Sequence, residues 1–140
     1  YGVVDNMSRS NIVLWAKGAL ESGKELTVVD DQYRTPTLAE DLAHGCILIA
    51  QKGAQGIYNI SGEDYMCIID LVKKVAGYYQ LDESLVKPIS SSSLNQKAAR
   101  PPKTHLLLDK AKRELGYKPS SFEEGLSILD VQIYARQHEE

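Results

Sequence analysis

Two arginines carry the strongest chemical signal in this chain. Arg34 lies in the polar stretch Asp30-Asp31-Gln32-Tyr33-Arg34-Thr35-Pro36-Thr37, which follows the short apolar run Leu26-Thr27-Val28-Val29 and leads into a helix start. Arg100 stands between Ala99 and Pro101, where the proline keeps the preceding residue extended. A guanidinium holds phosphate oxygens bidentately. A helix N-terminus adds free N–H groups and the positive end of the helix dipole. Loops held by rigid elements carry a disproportionate share of binding residues, and in open α/β sheets the ligand lies outside the carboxyl ends of the strands. The competing assignment makes both arginines structural, with Arg34 paired to Asp31 or Asp41. Spacing leaves the two assignments even and does not say whether the arginines meet.

Catalytic chemistry finds no comparable support. His44, His105 and His138 are scattered, without metal-ligand spacing and without a nucleophile beside them. There is no G-x-G-x-x-G, no Walker A loop and no G-x-S-x-G elbow. The pairs Asp30-Asp31 and Glu123-Glu124 are accounted for by strand-end solvation and helix N-terminal charge. No catalytic residue and no metal site is expected in this chain.

The elements that must position the arginines alternate between strand and helix. Ser8 or Ser10 can cap a first helix, whose stripe Ile12, Trp15, Ala16, Ala19 and Leu20 points inward, Trp15 included, and Gly23 stops it. Leu26–Val29 is a strand. Thr37 and Glu40 have capping-box spacing for a second helix that runs to about Lys52, burying Leu38, Leu42, Cys46, Ile49 and Ala50, and ends at Gly53. Residues 56–60 form a second strand. A third helix covers about 66–79, with Ile68, Val72, Val75, Ala76 and Tyr79 inward, although a thiol at Cys67 makes a poor cap. Asp82 caps one turn, 86–89 is a third strand and 90–93 a serine loop. Asp109 caps a short helix ending at Gly116, and Ser121 with Glu124 forms a capping box for the last helix, 122–136, with Leu126, Leu129 and Ile133 inward. Strands alternating with helices indicate a parallel α/β arrangement.

Composition narrows the function classes. The 140 residues are 43% hydrophobic and 25% charged, ordinary for one globular domain with a real core, and the net charge is −3 with no basic block. Nucleic acid is therefore not an expected partner. The apolar runs are too short to cross a bilayer, so no membrane partner is expected either. Cys46 and Cys67 are too few for a disulfide framework or a zinc site. Both are expected as buried free thiols, which suits a reducing cytoplasm.

Five segments, taken in order, resemble one family. Asp31-Gln32-Tyr33-Arg34-Thr35-Pro36-Thr37 with Asp41-Leu42-Ala43 resembles the D-Q-x-x-x-P-T-x-x-x-D-L-A signature of the dTDP-4-dehydrorhamnose reductase branch of the extended short-chain dehydrogenases/reductases. Gly56-Ile57-Tyr58-Asn59-Ile60-Ser61-Gly62 is similar to the strand that follows in that family, and Ala99-Arg100-Pro101 to its R-P segment. Leu115-Gly116-Tyr117-Lys118-Pro119 with 121–126 resembles its common ending, and Tyr1-Gly2 the close of the strand after the catalytic helix.

The resemblance implies the fold class: α/β, the C-terminal substrate-binding portion of an extended Rossmann-type enzyme, helices with a few short, mainly parallel strands. Members are NAD(P)-dependent and act on nucleotide-linked sugars through a glycine-rich Rossmann half and a Tyr-x-x-x-Lys pair. Neither motif occurs here, so residues 1–140 are expected to be a single substrate-binding lobe without the N-terminal NAD(P)-binding half, binding no cofactor and inactive alone. By resemblance, Arg34 and Arg100 hold the nucleotide diphosphate, with Gln32 and Asn11 lining the site; Ile12 stands where the family has an aromatic. The partners implied are a nucleotide-sugar and the missing half, with self-association through uncovered surface. The alternatives are a non-catalytic regulatory or scaffold subunit, or a sugar-nucleotide epimerase or dehydratase.

Overall fold

Leu26–Val29 forms β1, as its β-branched content predicts, and pairs in parallel with β4, Val86–Ile89, in the register Leu26↔Val86 through Val29↔Ile89. A parallel pair needs a long crossover between its strands. Here the crossover carries α3, Ile68–Tyr78, which packs against α1, Ile12–Glu21, and against both strands. Val13, Ala16 and Leu20 of α1, Leu71, Val72, Val75 and Ala76 of α3, and Leu26, Val28 and Val86 of the strands are buried. The computed structural model describes residues 1–3, 11–94 and 100–138, and these form two compact units. The unit just built comprises 11–34, 66–94 and 100–104; the other comprises 1–3, 35–65 and 105–138.

Capping in the first unit is mostly local. Asn11 caps α1, its Oδ1 accepting from Val13 N at 3.0 Å and Leu14 N at 3.1 Å. The serines expected there, Ser8 and Ser10, lie outside the described residues. Gly23, at φ +66°, stops α1 as expected, and Lys24 N–H reaches back to the Ala19 carbonyl at 3.0 Å. Asp82 caps the turn Glu83–Leu85 as expected. Ser90, read as loop, instead caps a short 3₁₀ turn, Ser91–Ser93. Helix α3 begins two residues later than predicted because Met66–Cys67 is a strand, β3, and the Cys67 side chain makes no cap. Trp15, expected in the core, is 41% exposed; α1 turns its Val13–Ala16–Leu20 side inward instead.

In the second unit α2, Ala39–Gln51, departs most from expectation. Leu38 takes the N-cap position with no side-chain cap. Thr37 Oγ1 is engaged elsewhere: it donates to Thr35 O at 3.2 Å and accepts from Gly62 N at 2.9 Å. The buried face is Asp41 and Gly45, while Leu42, Cys46 and Ala50 are exposed and Ile49 is half-buried. Two contacts select that face. Asp41 accepts from Ser120 N at 2.9 Å and from Ser120 Oγ at 3.2 Å. Gly45 admits Ile60 so closely that a Cβ would lie 2.5 Å from Ile60 Cγ2. The prediction of buried thiols therefore holds for Cys67 and fails for Cys46.

Residues 57–60, expected as a strand, lie outside every ladder among the described residues. Their exposure still alternates, with Ile57 and Asn59 outward and Tyr58 and Ile60 against Leu108, Ala111, Leu115 and Tyr117. Side chains hold the segment where a neighbouring strand would: Lys110 Nζ donates to Ile57 O at 3.0 Å, and Tyr117 OH to Ser61 O at 3.1 Å. Tyr1 and Gly2 likewise lie in no strand; the Tyr1 carbonyl accepts from Ala39 N at 2.8 Å. The short helix expected from Asp109 is a π-helix over Ala111–Leu115 that Asp109 precedes within the helical run and that Gly116 stops at φ +70°. Helix α4, Phe122–Gln137, has the predicted capping box of Ser121 and Glu124. It buries Phe122, Leu126 and Leu129, with Ile133 half-buried.

Candidate anion-binding site

Strand β2, Tyr33–Arg34, is short because its length is set by its neighbours. On one side it pairs antiparallel with β3 in the register Tyr33↔Cys67 and Arg34↔Met66. On the other side, Tyr33 N donates to Pro102 O at 2.7 Å and Thr104 N donates to Tyr33 O at 3.2 Å. Proline lacks an N–H, so the 100–104 strap can pair here only through a proline carbonyl and the residues after it. The parallel bridge Tyr33↔Lys103 is the result.

This pairing locks Arg34. Its Nη1 donates to Tyr33 O at 2.6 Å and to Pro102 O at 3.3 Å, and its Nη2 donates to Gln32 Oε1 at 3.2 Å. All three acceptors are neutral. The two carboxylates that the structural assignment offered it are engaged by serines. Asp31 Oδ2 accepts from Ser90 Oγ at 3.0 Å and from both Ser91 N and Ser91 Oγ at 2.9 Å; Asp41 is taken by Ser120. Arg34 therefore makes no ion pair with the described residues of its unit. A guanidinium has five N–H donors in a fixed fork. An oriented fork with donors to spare and an uncompensated charge can hold an anion.

The sequence-derived site residues take different places. Gln32 is buried, and its carbonyl oxygen orients Arg34. Arg100 is exposed and lies on the adjacent segment, two residues before the carbonyl that Arg34 reaches. Asn11 spends its Oδ1 on the cap of α1. Sequence reasoning did not single out Tyr33 and Lys103, whose Nζ lies 5.8 Å from the Tyr33 ring centroid. Lys103 shares the proline segment with Arg100, but its cross-strand partner could not be read from order alone.

The backbone N–H of Ser91, then the Ser91 and Ser90 hydroxyls, hold the Asp31 carboxyl below its ordinary value of 3.8. A lowered folded-state value means that the stabilisation is present above the unfolded value and is lost as pH falls through the folded one. Asp31→Asn is therefore expected to flatten the loss of thermal stability below about pH 4. An unchanged acid limb in a melting series would contradict this.

Burial pushes the Tyr117 phenol up to about 12, so it is a neutral donor to Ser61 O rather than a proton carrier. No group of three or more His, Cys, Asp or Glu side chains is placed to hold a metal ion, and no helix is long and apolar enough to cross a membrane, among the described residues. The loop after β1, where a parallel α/β sheet would seat a dinucleotide's pyrophosphate, carries Asp30 and Asp31 and no glycine.

The parallel strand pair crossed by a helix matches the fold of the C-terminal portion of Rossmann-type short-chain dehydrogenases/reductases. The chain is a member of the RmlD substrate binding domain family, which matches residues 3–132. A dTDP-4-dehydrorhamnose reductase from Bacillus anthracis str. Ames, solved in complex with NADP, is 25% identical at a TM-score of 0.82, covering 94% of this chain and 45% of that one. UDP-glucose 4-epimerase from Thermotoga maritima, solved with UDP-glucose, is 23% identical at a TM-score of 0.73, covering 99% of this chain and 44% of that one. A probable low-salt glycan biosynthesis reductase, Agl14 of Haloferax volcanii, is 23% identical over 117 residues, 84% of this chain and 39% of the relative. The chain thus spans less than half the length of these relatives.

Proposed function

We propose that this chain is the substrate-recognition portion of an NAD(P)-dependent reductase acting on a nucleotide-sugar, and that Arg34 and Arg100 hold the diphosphate. The observation that carries the reading is the hydrogen bonding of Arg34: its guanidinium is fixed by neutral oxygens while Asp31 and Asp41 serve serines. Gln32 keeps the fork in plane, and Asn11 lines the site from the head of α1. The family and the reductases among its relatives support the reaction class.

The cofactor-binding half and the catalytic pair belong, in this reading, to another part of a longer polypeptide. Two features of the 35–65 segment agree with such a partner. Helix α2 turns Leu42, Cys46 and Ile47 to solvent, and residues 57–60 alternate like a strand without a ladder, leaving Ile57 86% exposed. A docked half would cover both. In this reading the chain alone is inert.

Calorimetric titration with dTDP, paired with an NADPH-consumption assay on a dTDP-4-keto sugar, tests this. Saturable binding of dTDP with no NADPH consumption is expected. Absence of dTDP binding would overturn the recognition role, and turnover by the chain alone would overturn the division of labour.

A further inference from the structure

We infer that Asp31 is a positioning residue for Arg100: its carboxylate aligns the chain that leaves β4 and carries that arginine. The inference rests on the nucleotide-binding reading above and adds to it a residue that acts without touching the ligand. Strands β1 and β4 run in parallel and end together at Val29↔Ile89. One further backbone bond follows, from Asp30 N to Ile89 O at 3.1 Å. Past that point the Asp31 carboxylate takes over. Its Oδ2 accepts from Ser90 Oγ at 3.0 Å and from Ser91 N and Ser91 Oγ at 2.9 Å. Hydrogen bonds to an ionised acceptor are roughly twice as strong as neutral ones.

The chain beyond β4 meets the 31–34 stretch a second time. There Tyr33 N and Arg34 Nη1 donate to Pro102 O at 2.7 and 3.3 Å, and Thr104 N donates to Tyr33 O at 3.2 Å. Arg100 stands between the two ties, two residues before the second. The first tie does not act by shortening the loop. Without it the chain is still held at Ile89 O, and closure entropy grows only with the logarithm of loop length. What the tie supplies is direction. Ser90 caps the 3₁₀ turn Ser91–Ser93. Ser93 N donates to Ser90 O at 2.9 Å and Leu94 N to Ser91 O at 3.1 Å. Ser90 Oγ donates to Asp31 and accepts from Ser92 N at 3.4 Å. The carboxylate therefore orients the turn as far as Leu94, and so sets the heading on which the chain departs towards Arg100. Residues 31–34 thus fix Arg34 directly and orient the segment of Arg100 from both ends.

The test is a double-mutant cycle read by calorimetric titration with dTDP, with a melting curve for each variant. Asp31→Ala is expected to weaken dTDP about fivefold when Arg100 is present and less than about twofold in Arg100→Ala, where nothing is left to position. Charge alone predicts the opposite sign, since removing a carboxylate near an anion strengthens the anion's binding. The double variant Ser90→Ala/Ser91→Ala removes two of the three donors and keeps the carboxylate. It is expected to weaken dTDP about threefold, again only with Arg100 present, and it carries the test should Asp31→Ala fail to fold. Equal losses in both Arg100 backgrounds, or no loss in either, would overturn the positioning role and leave Arg100 as a contact. An Arg100→Ala chain that binds dTDP as the wild type does would overturn the Arg100 half of the reading and this inference with it. A wild type that binds no dTDP would overturn the reading outright.

Discussion

Replacing Gly62 by alanine is expected to lower the thermal midpoint of this chain by about 10 °C. Gly62 is buried against the backbone of the loop before α2, and a Cβ there would lie 2.1 Å from the Pro36 carbonyl oxygen and 3.2 Å from its carbon. A side chain could rotate away from such a clash; a carbonyl cannot. The loop has little freedom to yield, because Thr37 Oγ1 bridges Thr35 O and Gly62 N within it. Overpacking of this kind costs about 3 kcal/mol, a large part of the 5–15 kcal/mol that holds an ordinary domain together. Gly18 supplies the control. It lies inside α1, a Cβ there meets nothing within 4 Å, and alanine is the better helix former by about 1 kcal/mol. Gly18→Ala should therefore hold or raise the midpoint. A Gly62→Ala midpoint within about 2 °C of the wild type would refute the close approach.

Arg34→Ala is expected to weaken dTDP binding about 30-fold, or about 2 kcal/mol, the scale of a hydrogen-bonded charge contact. The loss has two sources. The fork itself disappears, and so does the only donor that the buried Gln32 Oε1 accepts from among the described residues. The second source also loosens the junction with the 100–104 strap, since the Arg34–Pro102 bond spans the two segments. Circular dichroism and a melting curve separate the two: the variant should keep its helix content and lose roughly 1 kcal/mol of stability, too little to unfold it. Arg34→Lys restores the charge but not the planar fork, so it should recover only part of the affinity. Added salt should weaken wild-type binding more than that of Arg34→Ala, because the attraction being screened is gone from the variant. An unchanged dissociation constant in Arg34→Ala would remove the main support for the diphosphate site and return Arg34 to a structural role.

What the sequence by itself determined was local or ordered along the chain. The Ser121–Glu124 box, the Asp82 cap and the glycine stops at Gly23 and Gly116 each involve residues a few positions apart, and the structure shows all of them. Strands β1 and β4 and the alternation of strand and helix followed from apolar runs between turn signals. The order of five motifs was enough to place the chain in its family. Tertiary structure decided whatever depends on a distant partner. Helix α2 offers two plausible faces, and Asp41 with Ser120 and Gly45 with Ile60 select the more polar one. Residues 57–60 have a strand's alternation, but a strand exists only beside another, and ladder bonds come from elsewhere in the chain. Arg34 had two acidic neighbours in sequence, and among the described residues both carboxylates are taken by serines from 60 and 79 residues away.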